Sequence, residues 1–279
     1  MNPQNGTGRP SRVSEDARLT LLMDALREPV LRRVIQALGL GEGSRGLDVG
    51  CGPGLPTRLL ADAVGPAGHV TGLDIRCDMV AQATQCAEPQ GWSGRVSFRH
   101  GDVHDLPFGD NEFDWAWSSD CVGYASMDPL PPLREMARVI QPGGTLAVAA
   151  WSSQQLLPGF PQLEAHLNAT AVGIAPFTSG QRPERHFLRG LGWMEEVGLS
   201  EVRARSFVHG VQAPLEPDER DALAALLHMR WGGAQSAVAP EDWDLFMLLC
   251  DPNSPQCILD APDYHGFFTY TLFCGSVPS

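Results

Sequence analysis

The run Gly46-Leu47-Asp48-Val49-Gly50-Cys51-Gly52-Pro53-Gly54 constrains the fold of this chain more than any other stretch of it. A short apolar strand carries an acid near its end and then meets glycine at three alternate positions. Glycine takes φ > 0 without penalty and, lacking Cβ, lets a ligand lie against bare backbone. Such a strand-to-helix turn predicts that a nucleotide-like molecule binds at the strand's carboxyl end. Which molecule depends on the residues at the neighbouring strand ends.

From 45 to 151 strand and helix signals alternate. Residues 45–49, 69–74, 95–100, 113–118 and 145–151 read as strands. Residues 55–64 and 76–88 read as helices, and Leu133, Met136 and Ile140 mark a third that ends at Pro142-Gly143-Gly144. Strands joined by helical crossovers imply a parallel sheet covered on both faces. Ligands of such sheets lie at the carboxyl ends of strands, where strand order reverses.

Two more acids stand at such ends. Asp74 closes Val70-Thr71-Gly72-Leu73-Asp74, where a carboxylate accepts from both hydroxyls of a ribose. Asp102 follows the third strand, placed to accept from an exocyclic adenine amine. Ile75 and Val103 stand beside them as further cofactor contacts. Each acid alone is more often a loop residue or a helix cap. Together with the glycine turn they form a site.

These residues resemble those of the Rossmann-like S-adenosylmethionine-dependent methyltransferases. The Asp-x-Gly-x-Gly-x-Gly motif is complete as Asp48, Gly50, Gly52 and Gly54, and the ribose and adenine acids match Asp74 and Asp102. Gly101-Asp102-Val103-His104-Asp105-Leu106-Pro107-Phe108, Phe113-Asp114 and Arg138-Val139-Ile140-Gln141-Pro142-Gly143-Gly144 resemble landmarks of the ubiquinone/menaquinone C-methyltransferase type. The resemblance covers residues 44–152. It implies an α/β fold with a doubly wound, mostly parallel sheet of seven strands, the last antiparallel, and S-adenosyl-L-methionine as cofactor. A dehydrogenase fingerprint would need Gly-x-Gly-x-x-Gly. Here the third glycine is Gly54, and Asp48 suits a methionine amine better than a pyrophosphate.

Methyl transfer from a sulfonium needs alignment and exclusion of water, with a base only for some acceptors. The fourth-strand end, Ser118 to Tyr124, faces the transferred methyl in this reading. Ser118 is the candidate for a backbone contact to the methionine part, Asp120 for a base, and Tyr124 for a pocket wall or hydrogen-bond donor. Helix capping and simple packing are the competing roles of Asp120 and Tyr124. Among the histidines, His186 and His265 sit beside aromatic residues and are the better pocket candidates, but neither is assigned as a base.

The 279 residues divide into a disordered tail (1–14), N-terminal helices that cover the sheet or the cofactor (15–43), and a core (44–212 with 263–279). The core carries a lid segment at 152–183, and a helical insertion at 213–262 caps the acceptor pocket. A second helix is expected to start at Pro29, and 186–198 reads as a crossover helix before the sixth strand. A packing extension and a homodimer surface are the other roles open to the insertion. Its aromatic content favours an apolar or aromatic acceptor.

A net charge of −13 argues against nucleic acid or an anionic membrane as partner, and no apolar run is long enough to span a membrane. Seven cysteines without ligand-like spacing argue against a zinc site or a disulfide framework and for a reducing cytoplasm. No metal is expected. The chain therefore reads as a cytoplasmic methyltransferase acting at O, N or C of a small organic acceptor. The alternatives are a cofactor-binding module without transfer and, further off, an arsenite methyltransferase using Cys121 with other thiols.

Overall fold

The computed structural model describes residues 14–87, 92, 94–124, 127–177 and 182–279. The expected tail, up to residue 13, and residues 178–181 of the expected lid lie outside these. The strands are β1 (Arg45–Val49), β2 (His69–Asp74), β3 (Val96–His100), β4 (Phe113–Ser119), β5 (Ile140–Gln155), β6 (Ser200–Gln212) and β7 (His265–Ser276). The helices are α1 (Glu15–Gln36), α2 (Leu55–Ala63), α3 (Cys77–Ala87), α4 (Leu130–Arg138), α5 (Pro161–Asn168), α6 (Gly190–Glu196), α7 (Pro217–Trp231) and α8 (Pro240–Cys250).

The seven strands form one sheet in the order β3-β2-β1-β4-β5-β7-β6, with β7 antiparallel to both its neighbours and the others parallel. Side chains alternate across a strand, so β5 feeds both faces. Ala147, Ala149 and Trp151 join the cluster under α1, α2 and α7, while Leu146, Val148 and Ala150 join the one under α4 and α6. Strand order reverses between β1 and β4, beside the glycine turn.

Three elements differ from the sequence expectation. Residues 15–36 form one continuous helix with Pro29 inside it, not two. An interior proline costs about 3 kcal/mol. Burial of Met23, Leu26, Val30, Leu31, Val34 and Ile35 on both sides of it, at about 1.5–3 kcal/mol each, outweighs that. Second, β5 runs four residues beyond Trp151, because 153–155 keep pairing with Phe267 to Thr269 after a register shift. The first part of the expected lid is therefore strand. At its other end α4 stops at Arg138, and the Pro-Gly-Gly run lies in the irregular start of β5. Third, the crossover at 186–198 is split into a 3-10 turn, Phe187–Arg189, and the short α6.

Candidate functional site

A cavity of about 430 Å³ lies at the carboxyl ends of β1, β2, β4 and β5 and is closed by α1 and α7. The glycine turn is part of its wall. Gly50, Gly52 and Gly54 take φ of 75°, 52° and 96°. A Cβ on Gly50 would lie 2.4 Å from the Cys121 sulfur, so a larger residue at that position would displace Cys121. The turn's N–H groups are used internally. Gly50 and Cys51 donate to the Leu73 carbonyl at 2.8 and 3.0 Å, Gly54 to Cys51, and Gly52 to the Asp74 carboxylate at 2.9 Å. Pyrophosphate-binding turns offer free N–H groups to their anion. This one does not, and it has two acids beside it, so it fits a cofactor that carries positive charge and no phosphate.

Asp74 lines the cavity and accepts from Gly52 N–H on one oxygen and from Arg76 N–H on the other, so each oxygen can accept a further bond. Ile75 beside it is 61% exposed, unusual for so large an apolar side chain. Asp102 is exposed at the end of β3, two strands out from the turn, and the N–H and Nδ1 of His104 both lie 2.9 Å from one of its oxygens. The backbone N–H of His104, then its ring, hold the Asp102 carboxyl below the usual carboxylate range. Val103 is buried.

Asp48 is fully buried beneath the turn. One oxygen accepts from the Thr57 hydroxyl at 2.6 Å, and the other has no partner among the described residues. Burial pushes its pKa to about 7, against the lowering effect of the Thr57 bond. Ser118 is buried in β4 and its hydroxyl accepts from Val122 N–H at 3.1 Å. The next residue, Ser119, lines the cavity, with its buried hydroxyl unpartnered among the described residues.

Asp120 also lines the cavity, but its carboxylate is fully engaged. One oxygen accepts from Trp151 N–H at 2.9 Å; the other accepts from the Tyr270 phenol at 2.6 Å and an Arg27 guanidinium nitrogen at 3.0 Å. An ion pair and two further hydrogen bonds therefore occupy the carboxylate expected to serve as a base. Arg27 and Tyr270 were not legible as site residues. The one signal for Arg27 is a charge inside the apolar stripe Met23, Leu26, Val30 at helical spacing.

A second cavity of about 370 Å³ adjoins the first, sharing Tyr124, Trp151 and Arg230 in its lining. Both volumes fall within the roughly 300–1,000 Å³ of small-molecule sites. The second is walled by the extended end of β5, by residues 173–177 and by 185–188. Trp151 stacks on Phe268 at 4.0 Å, and Tyr124 meets Phe187 edge-on at 6.5 Å. Burial raises the Tyr124 pKa, keeping the phenol protonated. His186 lines this cavity too. Its Nδ1 accepts from Leu188 N–H at 3.2 Å, which leaves Nε2 to carry the proton of the neutral ring. His265 is exposed and lines neither cavity.

Cys121 and Cys51 meet at the turn, but burial first, then the nearby acids, push both thiols up, Cys121 to about 12. They stay protonated at neutral pH, which disfavours thiolate capture of a metalloid. Among the described residues no cluster of His, Cys, Asp and Glu is arranged to hold a metal ion, and no helix is long and apolar enough to cross a membrane.

Residues 40–188 match the family model described as a methyltransferase domain. Demethylmenaquinone methyltransferase of Staphylococcus aureus is 34% identical over 197 residues, which cover 65% of this chain and 78% of the relative. A SAM-dependent methyltransferase from Aquifex aeolicus superposes with a TM-score of 0.51 at 23% identity, over 69% of this chain and 90% of its own. The (4+2)-cyclase SpnF superposes with a TM-score of 0.51 at 26% identity, over 88% of this chain and 81% of its own.

Proposed function

Because the chain belongs to the S-adenosylmethionine-dependent methyltransferases, we propose that it methylates a small acceptor with an apolar or aromatic body, held in the second cavity. What supports this reading is the wall that the two cavities share. A donor in the first cavity and an acceptor in the second would meet across Tyr124, Trp151 and Arg230. The relative named as a demethylmenaquinone methyltransferase suggests a quinone-like ring as one such acceptor.

S-adenosylmethionine, when bound, supplies a methyl group already activated on a sulfonium. The chain's part is to orient and to exclude water. We assign Asp74 to the ribose hydroxyls, Ile75, Asp102 and Val103 to the adenine, and Gly50, Gly52 and Gly54 to the close approach of backbone. We assign Asp48 to the methionine amine, whose positive charge would favour the carboxylate's ionised form, and the end of β4, Ser118 with Ser119, to the border of the methionine part. Asp120 orients Arg27 and Tyr270 and holds the Trp151 backbone. Tyr124 serves as wall and hydrogen-bond donor. Helix α7, in the insertion 213–262, caps both cavities through Arg230. The cytoplasm is the proposed compartment, from seven cysteines without ligand or disulfide spacing. A homodimer remains the alternative use of the insertion's outer face.

The test is transfer of labelled methyl to a panel of hydroxylated aromatic and quinone-like compounds, with cofactor binding followed by calorimetry. Transfer to members of the panel is expected. Asp74→Ala is expected to weaken cofactor binding by about tenfold or more, since a hydrogen bond to a charged group contributes about 1.5–3 kcal/mol. Unchanged affinity would remove Asp74 from the ribose site. The likeness to a cyclase is the observation that keeps a second reading in play, because one fold hosts several reactions. An acceptor converted without gaining label would favour it.

A further inference from the structure

Arg230 stands in the wall common to both cavities, and its partners are neutral. Its Nε donates to the Gln154 side-chain oxygen at 3.2 Å and its Nη1 donates to the Ala175 carbonyl at 2.8 Å, and the Tyr124 phenol lines the same wall. Gln154 is fixed in turn by the Trp151 indole N–H at 2.8 Å. Among the described residues no carboxylate forms an ion pair with this guanidinium.

The second cavity's described lining contains no Asp or Glu, although the chain carries 33 acids against 20 basic residues. Its other guanidinium, Arg185, spends its charge on Asp128 at 3.4 Å and Glu196 at 3.9 Å, neither of which lines the cavity. Arg230 therefore leaves the acceptor side with uncompensated positive charge. A sulfonium in the adjoining cavity would add to it. Two cations facing one half-buried space favour an anion between them.

We propose that the acceptor is recognised as an oxyanion, an aromatic compound with an ionised acidic hydroxyl, and that Arg230 is the residue that receives this oxygen. The inference rests on the second cavity being the acceptor chamber. It accounts for the absence of a free carboxylate base among the described lining residues, since the acceptor's proton goes to solvent when the anion binds. For transfer to oxygen, the anion forms the new O–C bond with its own electron pair, the sulfur keeps the pair of the broken S–C bond, and no proton is left to move. Arg230 then acts as a specificity residue, because Gln154 and Ala175 hold its guanidinium on the acceptor side of the wall.

The experiment is calorimetric titration of two probes into the full chain saturated with S-adenosylhomocysteine. One is 2-hydroxy-1,4-naphthoquinone, an acidic enol that ionises at neutral pH; the other is its methyl ether, 2-methoxy-1,4-naphthoquinone. The enol is expected to bind at least about tenfold more tightly than the ether. In Arg230→Gln that preference should fall to within about twofold while the ether's affinity holds, and Arg230→Lys should restore part of it. Circular dichroism and thermal unfolding check that the variants are folded. Equal affinity of the two probes for the native chain, a measurement that needs no variant, overturns the inference and leaves the acceptor chamber standing. A preference that survives in Arg230→Gln overturns it as well. So does a tenfold loss of S-adenosylhomocysteine affinity in that variant, which would give Arg230 to the cofactor's carboxylate. If neither probe binds, the acceptor chamber itself is wrong and the inference falls with it.

Discussion

Asp120 follows β4 directly at a φ of 51°, with a guanidinium, a phenol and a backbone N–H on its two oxygens. Its partner Arg27 is only 13% exposed, so Asp120→Asn strips a largely buried cation of its 3.0 Å partner and leaves only Asp24, at 3.6 Å, to balance it. We expect a loss of about 3 kcal/mol of stability in urea unfolding with an unchanged denaturant slope. A variant as stable as the parent but slow in transfer would instead point to Asp120 as a base. Asp48 predicts a pH effect. Burial raises its pKa from 3.8 to about 7, so the folded state holds a proton that the unfolded state has released. Stability from this group is present below its ordinary value and is lost as pH rises to about 7, at no more than about 1.4 kcal/mol per pH unit. Asp24, raised to about 6 by burial, slopes the same way. Asp48→Asn should flatten the fall in unfolding free energy across that window, and an unaltered slope would mean that Asp48 is already ionised in the fold. The acids at the strand ends were legible as residues because their spacing from the glycine turn is local. Their engagement with Thr57, His104 or Arg27 was not, since those partners are set by packing.

At the scale of elements, periodicity located nearly every strand and helix and misjudged their extents. Pro29 reads as a helix start because a free chain avoids an interior proline; tertiary burial on both sides reverses that preference. The end of β5 reads as the start of a lid because 152–183 mixes apolar residues with glycines and prolines. Pairing with β7 makes it strand, and it then supplies the second cavity's wall. The segment 213–262 is an insertion by sequence position alone. Leu223, Leu226, Leu227 and Trp231 of α7 belong to the same buried cluster as Leu26, Leu31 and Phe268. Replacing 213–262 with a short loop is therefore expected to give an aggregated or unfolded product in size-exclusion chromatography and circular dichroism. A monodisperse, folded remainder that still binds S-adenosylmethionine would show that the core is independent of its cap.

Over the whole molecule, the net charge of −13 acts on a cofactor that carries a sulfonium and an ammonium against one carboxylate. Attraction at a distance fades as the Debye length shrinks from about 30 Å at 0.01 M salt to about 8 Å at 0.15 M. The association rate of S-adenosylmethionine, followed by stopped-flow tryptophan fluorescence, should fall over that range. That of S-adenosylhomocysteine, which lacks the sulfonium charge, should change little. Equal salt slopes for both ligands would mean that overall charge does no steering. The amino-acid sequence by itself determined the α/β alternation, the glycine turn and the acids at successive strand ends, and through them the class of cofactor. Those features repeat or lie at fixed short separations, so local backbone preference and side-chain periodicity carry them. Only the tertiary structure decided that Arg230 meets Tyr124, Trp151 and Gln154, that Arg27 and Tyr270 occupy Asp120, and that two cavities share one wall. Such contacts join side chains from elements far apart in the chain, and only the packing of helices across the finished sheet brings them within reach.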